Sequence, residues 1–344
     1  MSVERSQKLI TTYFLVCFSI VICTALLTLN FWPQTNMTKV RKLKISHGQS
    51  LAGISSMLYQ KDIISNKWVF EFVTKLKGLD KSIQTGTFRF NNINTNHDII
   101  NNLAFGRPDR KKITFLEGWN MKQVAQHLSS VMKFEYDEVI SLLNNENFIS
   151  DLKIDSKTLE GYLFPETYYF FEGVDKKTII KRLVKEHLSF WNEEALFKAD
   201  SLGFTPAEII TLASIIEGEA IYDSERPVIS AVYHNRLKKG MKLQADPTVQ
   251  YIINDGPRRL LNKDLRIKSP YNTYMNRGLP PGPINSPGLQ SLLAALNPQI
   301  NDYFYFVAKG DGYHTFSRNE KEHKRAKRAF QRVRKKVNRQ RTGS

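Results

Sequence analysis

The chain has 344 residues, of which 41% are hydrophobic and 24% are charged. This composition excludes global disorder, and the length allows two or three domains. The formal net charge is +17, but residues 321–344 carry eleven Lys and Arg against one Glu, so the folded body is only mildly basic. Both cysteines, Cys17 and Cys23, lie in an N-terminal apolar run, which excludes a disulfide scaffold or a cysteine-based metal site in the rest of the chain.

The apolar run extends without a charge from Leu9 to Phe31. As a helix it is long enough to cross a hydrocarbon core of about 30 Å. Trp32 and Pro33 follow, an interfacial aromatic and a helix breaker. A cleaved signal peptide is the alternative, but the run is longer than a usual signal core and no small-x-small cleavage site follows it. We therefore expect an uncleaved membrane anchor, whose orientation the flanking charges do not fix.

Two segments of the chain align at an offset of seventy residues, each with a short strand, a glycine turn and an amphipathic helix. The matching positions are Ile45, Gly48, Leu51, Ile54 and Leu58 in the first segment, and Phe115, Gly118, Met121, Val124 and Leu128 in the second. The units resemble LysM-type modules, which bind glycans containing N-acetylglucosamine. The alternative is that they serve only as spacers.

A strongly capped apolar helix is expected from Thr205 onwards. Thr205 and Glu208 form a capping box around Pro206, and the residues from Ile209 to Ile216 are apolar on nearly every side, as in a buried helix. We expect Gly218 to end this helix and to leave Glu217 at the rim of the core. Burial and the negative end of the helix dipole should both raise the pKa of Glu217, which suits a general acid.

A purely structural role for Glu217 is the alternative. In that interpretation its carboxylate pairs with a nearby cation such as Arg226 or Arg236. Glu219 is a rival acid on a different face of the helix.

Several loops downstream of Glu217 are rich in groups that suit sugar rings. Asp246 precedes a proline, which favours an extended backbone at a loop edge. Tyrosine and asparagine offer stacking faces and amide hydrogen bonds around Tyr271 and Asn272, and a rigid proline-rich segment follows from Gly278 to Ile284. These segments are either site-building loops or ordinary connections. Residues 303–308 and 313–316 predict a β-hairpin.

These segments, taken in order, resemble the endolytic murein transglycosylase family (YceG-like). The motifs that carry the resemblance are Leu159–Tyr168, Ala213–Glu217, Leu243–Thr248, Tyr271–Tyr274, Gly278–Gly282, Tyr305–Ala308 and His314–Phe316, within about residues 40–320. Gly218 departs from the pattern, which has a longer side chain before the second glutamate.

The resemblance implies an α+β fold with an N-terminal transmembrane helix, LysM-like βα subdomains and a mixed α+β catalytic domain. The expected segments are a cytoplasmic N-terminus (1–8), an anchor (9–31), a LysM-like subdomain (38–110), a second βα unit with a linking region (111–195), a catalytic domain (196–320) and a basic tail, disordered or helical (321–344). The catalytic domain is expected outside the cytoplasm of a bacterium, at its inner membrane.

The resemblance also implies a reaction without a metal or a cofactor. Glu217 would protonate the oxygen between N-acetylmuramic acid and N-acetylglucosamine within a glycan strand and then, as its conjugate base, take the proton of the muramic C6 hydroxyl. That hydroxyl would close a 1,6-anhydro ring without a second carboxylate, and the cleavage would limit nascent strand length. The expected substrate-binding residues are Gln244, Asp246, Thr248, Tyr271, Asn272 and Tyr274. Peptidoglycan strands, the membrane and peptidoglycan synthases are the expected partners.

Three alternatives remain open at this point. The first is a muramidase that uses water, with Asp246 as its second carboxylate. The second is a non-catalytic peptidoglycan-binding scaffold of the wall synthesis machinery. The third is nucleic-acid binding through the basic tail, but a translocated tail would meet anionic lipid or wall polymers, so no specific nucleic acid is expected.

Overall fold

The computed structural model describes residues 2–33, 40–46, 48–91, 95–253, 256 and 258–341, with side chains between residues 11 and 332. The chain divides into two compact units. The first comprises Met1–Lys112 and Tyr169–Val174, and the second comprises Ile113–Tyr168 and Asp175–Ser344. Helices and two-stranded sheets occur in a mixed α+β arrangement, as expected.

The chain begins with helix α1 (Ser2–Phe31). Within it Thr11–Phe31 has a mean hydropathy of 2.3 and is long and apolar enough to cross a membrane. The hydroxyls of Ser19, Thr24 and Thr28 donate to backbone carbonyls three or four residues earlier, so these polar groups are satisfied inside the helix. The expected N-terminal apolar helix is confirmed, and it is compatible with a single-pass anchor.

The first unit continues with β1 (Arg41–Ile45), α2 (Leu51–Gln60), α3 (Lys67–Leu76), β2 (Gly86–Phe90) and α4 (Asn96–Phe105). β1 and β2 are antiparallel, and Leu43 is paired with Phe88. Both of these side chains are buried in the core of the unit. The repeat predicts a strand, a turn and a helix, which correspond to β1 and α2. The structure adds a second helix, α3, and a second strand, β2.

The next elements along the chain are β3 (Arg110–Thr114), α5 (Met121–Met132), α6 (Tyr136–Leu143), α7 (Glu146–Asp151), β4 (Thr167–Phe171), α8 (Lys176–Ser189) and α9 (Glu193–Ser201), and all five of these helices belong to the second unit. β3 pairs with β4, and the chain passes from one unit to the other within these two strands. Asn120 caps α5 in a capping box with Gln123. Residues 115–120 therefore form a short fixed loop between β3 and α5.

The remaining elements are α10 (Pro206–Glu219), α11 (Arg226–Lys238), α12 (Asp246–Ile252), α13 (Leu289–Leu296), β5 (Tyr305–Ala308), β6 (His314–Ser317) and α14 (Glu320–Arg341). The capping box of Thr205 and Glu208 opens α10 as predicted. Every residue of α10 from Ile209 to Ile216 is buried, and α10 packs against α11 and α13. β5 and β6 form the predicted antiparallel hairpin.

The end of α10 differs from the expectation. The helix continues through Gly218 and ends at Glu219, because the N–H of Ala220 still donates to the carbonyl of Ile216. A Cβ built on Gly218 would lie 2.6 Å from Cβ of Pro247. The glycine therefore serves close packing of the segment that opens α12, and the prediction that it stops the helix is wrong.

Candidate catalytic site

The carboxylate of Glu217 lies in the last turn of α10, and only 7% of its side chain is exposed. Three groups donate to it. Nη2 of Arg226 lies 3.2 Å from Oε1, while Oγ of Ser291 and the N–H of Gly288 lie 2.8 and 3.0 Å from Oε2. The carboxylate is therefore held by one ion pair and two further hydrogen bonds from distant parts of the chain.

Arg226, at the start of α11, is equally buried, with 6% of its side chain exposed. Its Nε donates to Asp223 at 2.9 Å, and its Nη1 donates to Oγ of Ser291. Ser291 is fully buried, so its hydroxyl can both accept from Arg226 and donate to Glu217. The three side chains form one closed cluster.

Two helix ends meet at Glu217. The C-terminal end of α10 carries partial negative charge and disfavours a carboxylate. Gly288 is the residue before α13 and Ser291 lies in the first turn of that helix, so the same carboxylate also caps the positive end of α13. We expected the end of α10 to destabilise the carboxylate of Glu217, but that expectation did not include the opposite effect of the start of α13.

The ion pair named as the structural alternative is present, with Arg226 as the partner. Arg236 is engaged elsewhere, where its guanidinium donates to the carbonyls of Phe304 and Leu243. An ion pair fixes the orientation of Glu217 whether or not the residue reacts. The pair alone therefore does not separate the two roles.

A second carboxyl group, that of Glu117, lies beside Glu217 in the loop between β3 and α5. A Cβ built on Gly288 would lie 2.0 Å from Oε1 of Glu117, and a Cβ built on Gly118 would lie 3.7 Å from Cγ of Glu217. Partial burial, followed by the negative charge of Glu217, raises the pKa of Glu117. The side chain of Glu117 remains exposed to solvent.

Glu219 faces a different group of side chains from Glu217, as expected. It accepts from the hydroxyl of Tyr233 at 2.9 Å, and burial together with the charge of Asp246 raises its pKa to about 7. Asp246 is exposed and accepts from the hydroxyl of Tyr274 at 2.5 Å. Asp246 is the first residue of α12 rather than an extended loop residue, which corrects the expectation; the extended residue is Ala245.

Two of the expected substrate-binding residues are fully buried. The hydroxyl of Thr248 donates to the carbonyl of Ala245, and the side-chain amide of Asn272 donates to the carbonyls of Leu265 and Ile267. In this conformation both side chains hold loops. Gln244 is exposed at a φ of 49°, a strained value for a residue with a side chain, and its N–H donates to the carbonyl of Thr273.

Tyr271 belongs to a third group of side chains. Its ring centroid lies 5.0 Å from that of Tyr251, whose hydroxyl donates to Glu160. Glu160 is buried and also accepts from the N–H of Met121 at 2.9 Å, at the start of α5. Burial raises the pKa of Glu160 to about 7. The structure thus distributes the predicted residues over three clusters rather than one.

Three residues of the Glu217 cluster were not predicted: Glu117, Gly288 and Ser291. The signal for Glu117 was its position directly before Gly118, a matching glycine of the repeat. For Gly288 and Ser291 the signal was weaker, since a glycine and a serine at a helix start are common. Across the described ranges, no group of three or more His, Cys, Asp or Glu is placed to hold a metal ion.

The chain is similar to proteins of known family. The model of the YceG-like family matches residues 43–329. The endolytic murein transglycosylase of Bacillus subtilis (strain 168) is 36% identical over 84% of this chain and 84% of its own length. That of Streptococcus pneumoniae (strain R6) is 27% identical, and the match spans 58% of its length. A crystal structure of a YceG-like protein from Listeria monocytogenes has 30% identity and a TM-score of 0.58, over 83% of this chain and 98% of that one.

Proposed function

Because the chain belongs to the YceG-like family, we propose that it is a lytic murein transglycosylase that cleaves peptidoglycan glycan strands at internal bonds. Two relatives that bear the name endolytic murein transglycosylase support this activity. The single structural observation that carries it is the placement of Glu217. This residue lies in the last turn of the motif helix, and an arginine, a serine and a backbone N–H fix both of its oxygens.

The proposed reaction uses Glu217 as the acid. It protonates the oxygen that joins C1 of N-acetylmuramic acid to N-acetylglucosamine, and the bond from C1 to this oxygen breaks. The C6 hydroxyl of the same muramic ring attacks C1, and Glu217, now the conjugate base, takes the proton of that hydroxyl. The product carries a 1,6-anhydro end, and no water is consumed. An intramolecular nucleophile gains a high effective molarity, so no covalent link to the protein is required. Fixed orientation of the acid matters because a displacement of about 1 Å can cost 100-fold in rate.

We assign the sugar-binding surface to the members of the predicted set that are not buried, the exposed Gln244 and Asp246 and the half-buried Tyr271 and Tyr274. Asp246 and Tyr274 are bonded to each other, and Pro247 packs on Gly218, next to Glu217. Gln244 precedes them at its strained φ. Thr248 and Asn272, being buried, are proposed to shape the loops that present these groups.

The N-terminal half is proposed to hold the enzyme at its substrate. Helix α1 would anchor it in the bacterial inner membrane with the catalytic domain outside the cytoplasm, where cleavage of new strands would limit their length. The strand–helix–helix–strand order of residues 41–90 supports a LysM-like glycan-binding subdomain within 38–110. Association with peptidoglycan synthases stays a prediction.

The test is the variant Glu217→Gln, which keeps the shape of the side chain and removes the acid. Full-length wild type and variant in detergent micelles are incubated with uncross-linked glycan strands, and the products are identified by mass spectrometry. We expect 1,6-anhydro ends from the wild type and a loss of at least about 100-fold in the variant. Glu146→Gln, which changes an exposed glutamate in the first turn of α7, outside the cluster and the family motifs, is the matched control.

The products also distinguish the rival functions. Reducing ends without anhydro ends would identify a muramidase. An unchanged strand-length distribution, in the test tube and in cells that carry Glu217→Gln, would identify a scaffold and exclude the proposed reaction.

A further inference from the structure

Helix α3 exposes an apolar stripe that consists of Trp68, Phe72 and Leu76. These residues recur at every fourth position, so they lie along one face of the helix over about 12 Å. Their exposed fractions are 79%, 50% and 59%. Phe70 and Val73, on another face of α3, are buried in the core of the first unit. A surface helix normally carries polar residues away from its core, so the stripe indicates an interaction surface.

The last turn of the apolar helix α1 is bound to α4 in the same unit. The side-chain amide of Asn96 donates to the carbonyl of Leu29 at 2.9 Å, and Leu29 packs against the core of the unit. The ring of Phe31, the last residue of α1, stacks on the imidazole of His97, and the ring centroids are 4.9 Å apart. The end of α1 is therefore fixed relative to the rest of this unit.

The same contacts lead from the end of α1 to the end of α3. Nζ of Lys77, the residue that follows α3, lies 2.8 Å from Nδ1 of His97, on which Phe31 stacks. Helix α1 also contacts α3 itself. Leu76, the last residue of the stripe, directly precedes Lys77. When α1 spans a bilayer, the stripe therefore lies close to the boundary between lipid and water.

The side chains beside the stripe suit this boundary. Tryptophan is enriched where a membrane meets water, because its ring is amphipathic. On the same helix Lys75 is exposed, and Nζ of Lys67 lies over the exposed ring of Tyr59, 5.8 Å from its centroid. Lysines attract anionic headgroups while their stems cover apolar surface. Glu71, the acid of α3, instead accepts from the hydroxyl of Ser55 on α2. The charges of this helix therefore favour an anionic lipid surface.

We propose that α3 lies in the interface of the membrane that α1 crosses, with Trp68, Phe72 and Leu76 among the headgroups of anionic lipids. The inference goes beyond the proposed reaction and rests only on the proposed anchor. It holds for either orientation of α1, since the first unit follows the same end of that helix. A single helix leaves the attached unit free to tilt at the bilayer surface, and a second contact through α3 fixes its height and tilt.

The experiment measures the depth of Trp68 in a bilayer. Full-length protein is reconstituted in vesicles of phosphatidylcholine and phosphatidylglycerol, with or without acyl chains brominated near the headgroups, since bromine quenches tryptophan on contact. The fluorescence that Trp68 contributes is the difference between wild type and Trp68→Phe. We expect brominated lipid to remove about half of it or more, because an interfacial ring lies at the headgroup level. Trp191, a half-buried residue of the second unit, is measured through Trp191→Phe and should not be quenched.

A second variant tests whether the stripe binds lipid as a whole. Phe72→Ser removes its middle ring, and the quenching of Trp68 should fall by about half or more, because interfacial binding scales with the buried apolar area. Phe197→Ser is the matched control. It changes a phenylalanine of α9 that is 73% exposed and lies outside the stripe, and it should leave the quenching of Trp68 unchanged. Circular dichroism checks that both variants are folded, and if Phe72→Ser is not, the quenching of Trp68 in the wild type decides.

The other outcomes overturn the inference in distinguishable ways. Brominated lipid that quenches Trp68 no more than Trp191 would exclude a lipid-bound stripe. If the emission of Trp68 responds instead to uncross-linked glycan strands, the stripe is a glycan-binding face. Release of the protein from the vesicles by an alkaline wash would remove the proposed anchor, and the inference with it. A protein that stays in the vesicles with Trp68 unquenched removes only the inference and leaves the anchor and the reaction standing.

Discussion

Oε1 of Glu217 and Nη2 of Arg226 lie 3.2 Å apart, and each side chain is more than nine-tenths buried. A buried ion pair contributes little net stability by itself, since both charges lose their hydration. Removal of one partner is different, because it leaves the other charge buried and unpaired. The pair should therefore tolerate mutation poorly, for reasons of both stability and activity.

Arg226→Met should lower the free energy of unfolding by about 3–5 kcal/mol, because Glu217 and Asp223 lose their shared cation. Urea unfolding of the full-length protein in micelles measures this. Arg182→Met is the control, since Arg182 forms an exposed pair with Glu186 and its removal should cost less than about 1 kcal/mol. Equal losses in the two variants would contradict the argument.

Ser291→Ala should reduce kcat by about tenfold or more and change KM little. The variant removes the donor at 2.8 Å from Oε2 of Glu217 and the acceptor for Arg226, so the acid loses its fixed orientation. The rate of formation of anhydro ends checks this. Ser189→Ala removes an exposed hydroxyl that bonds only to its own helix, and wild-type rates are expected from it.

Gly288→Ala tests the backbone donor of Glu217 without changing a glutamate. The φ of Gly288 is −74°, which alanine adopts readily, but the new methyl group would overlap the carboxyl of Glu117. Relief of this overlap should move residue 288, whose N–H donates to Oε2 of Glu217, so we expect a clear loss of kcat. Gly53→Ala adds a methyl group without a close contact and should leave kcat unchanged. Wild-type activity in Gly288→Ala would argue against a role for this donor in orienting the acid.

Glu160 makes stability depend on pH. Its pKa is about 7 in the folded state and 4.5 ordinarily, so between these values the folded state binds more protons than the unfolded state. Its contribution therefore favours folding below pH 4.5, declines as the pH rises, and levels off above about 7. Relative to wild type, Glu160→Gln should gain on the order of 3 kcal/mol between pH 4.5 and 8.

Thermal or urea unfolding at several pH values measures the Glu160 effect. Tyr251→Phe removes a donor that lowers the pKa of Glu160, so the decline of its stability should extend to higher pH and be larger in total than that of the wild type. A constant difference between Glu160→Gln and wild type across this range would show that the acid is not the cause.

Local signals in the sequence predicted several of the elements, among them α1, α10 and the β5–β6 hairpin. The start of α10 was predictable because Thr205 and Glu208 are three residues apart and satisfy each other. The end of α10 was not, because the approach of Pro247 to Gly218 depends on tertiary packing. The start of α12 at Asp246 was also mispredicted. A residue before a proline usually has an extended backbone, but Asp246 is helical because it opens the packed helix α12.

The candidate site was predictable only in part. Glu217 could be identified because it follows the apolar part of a helix within a family motif. Its partners Gly288 and Ser291 lie 71 and 74 residues further along the chain, so no local pattern connects them to it. Periodicity indicates which face of a helix is buried, but not which loop end the fold will bring to that face.

Because Glu217 caps α13, protonation of this carboxyl and the stability of the first turn of that helix are coupled. Each time the carboxyl takes up a proton, the first turn of α13 loses the negative charge at its positive end, a change of about 0.3–1 kcal/mol. An eight-residue helix has little cooperativity of its own to resist such a change. The first turn of α13 should therefore become less stable when Glu217 takes up a proton and more stable when Glu217 releases it, once in every catalytic cycle.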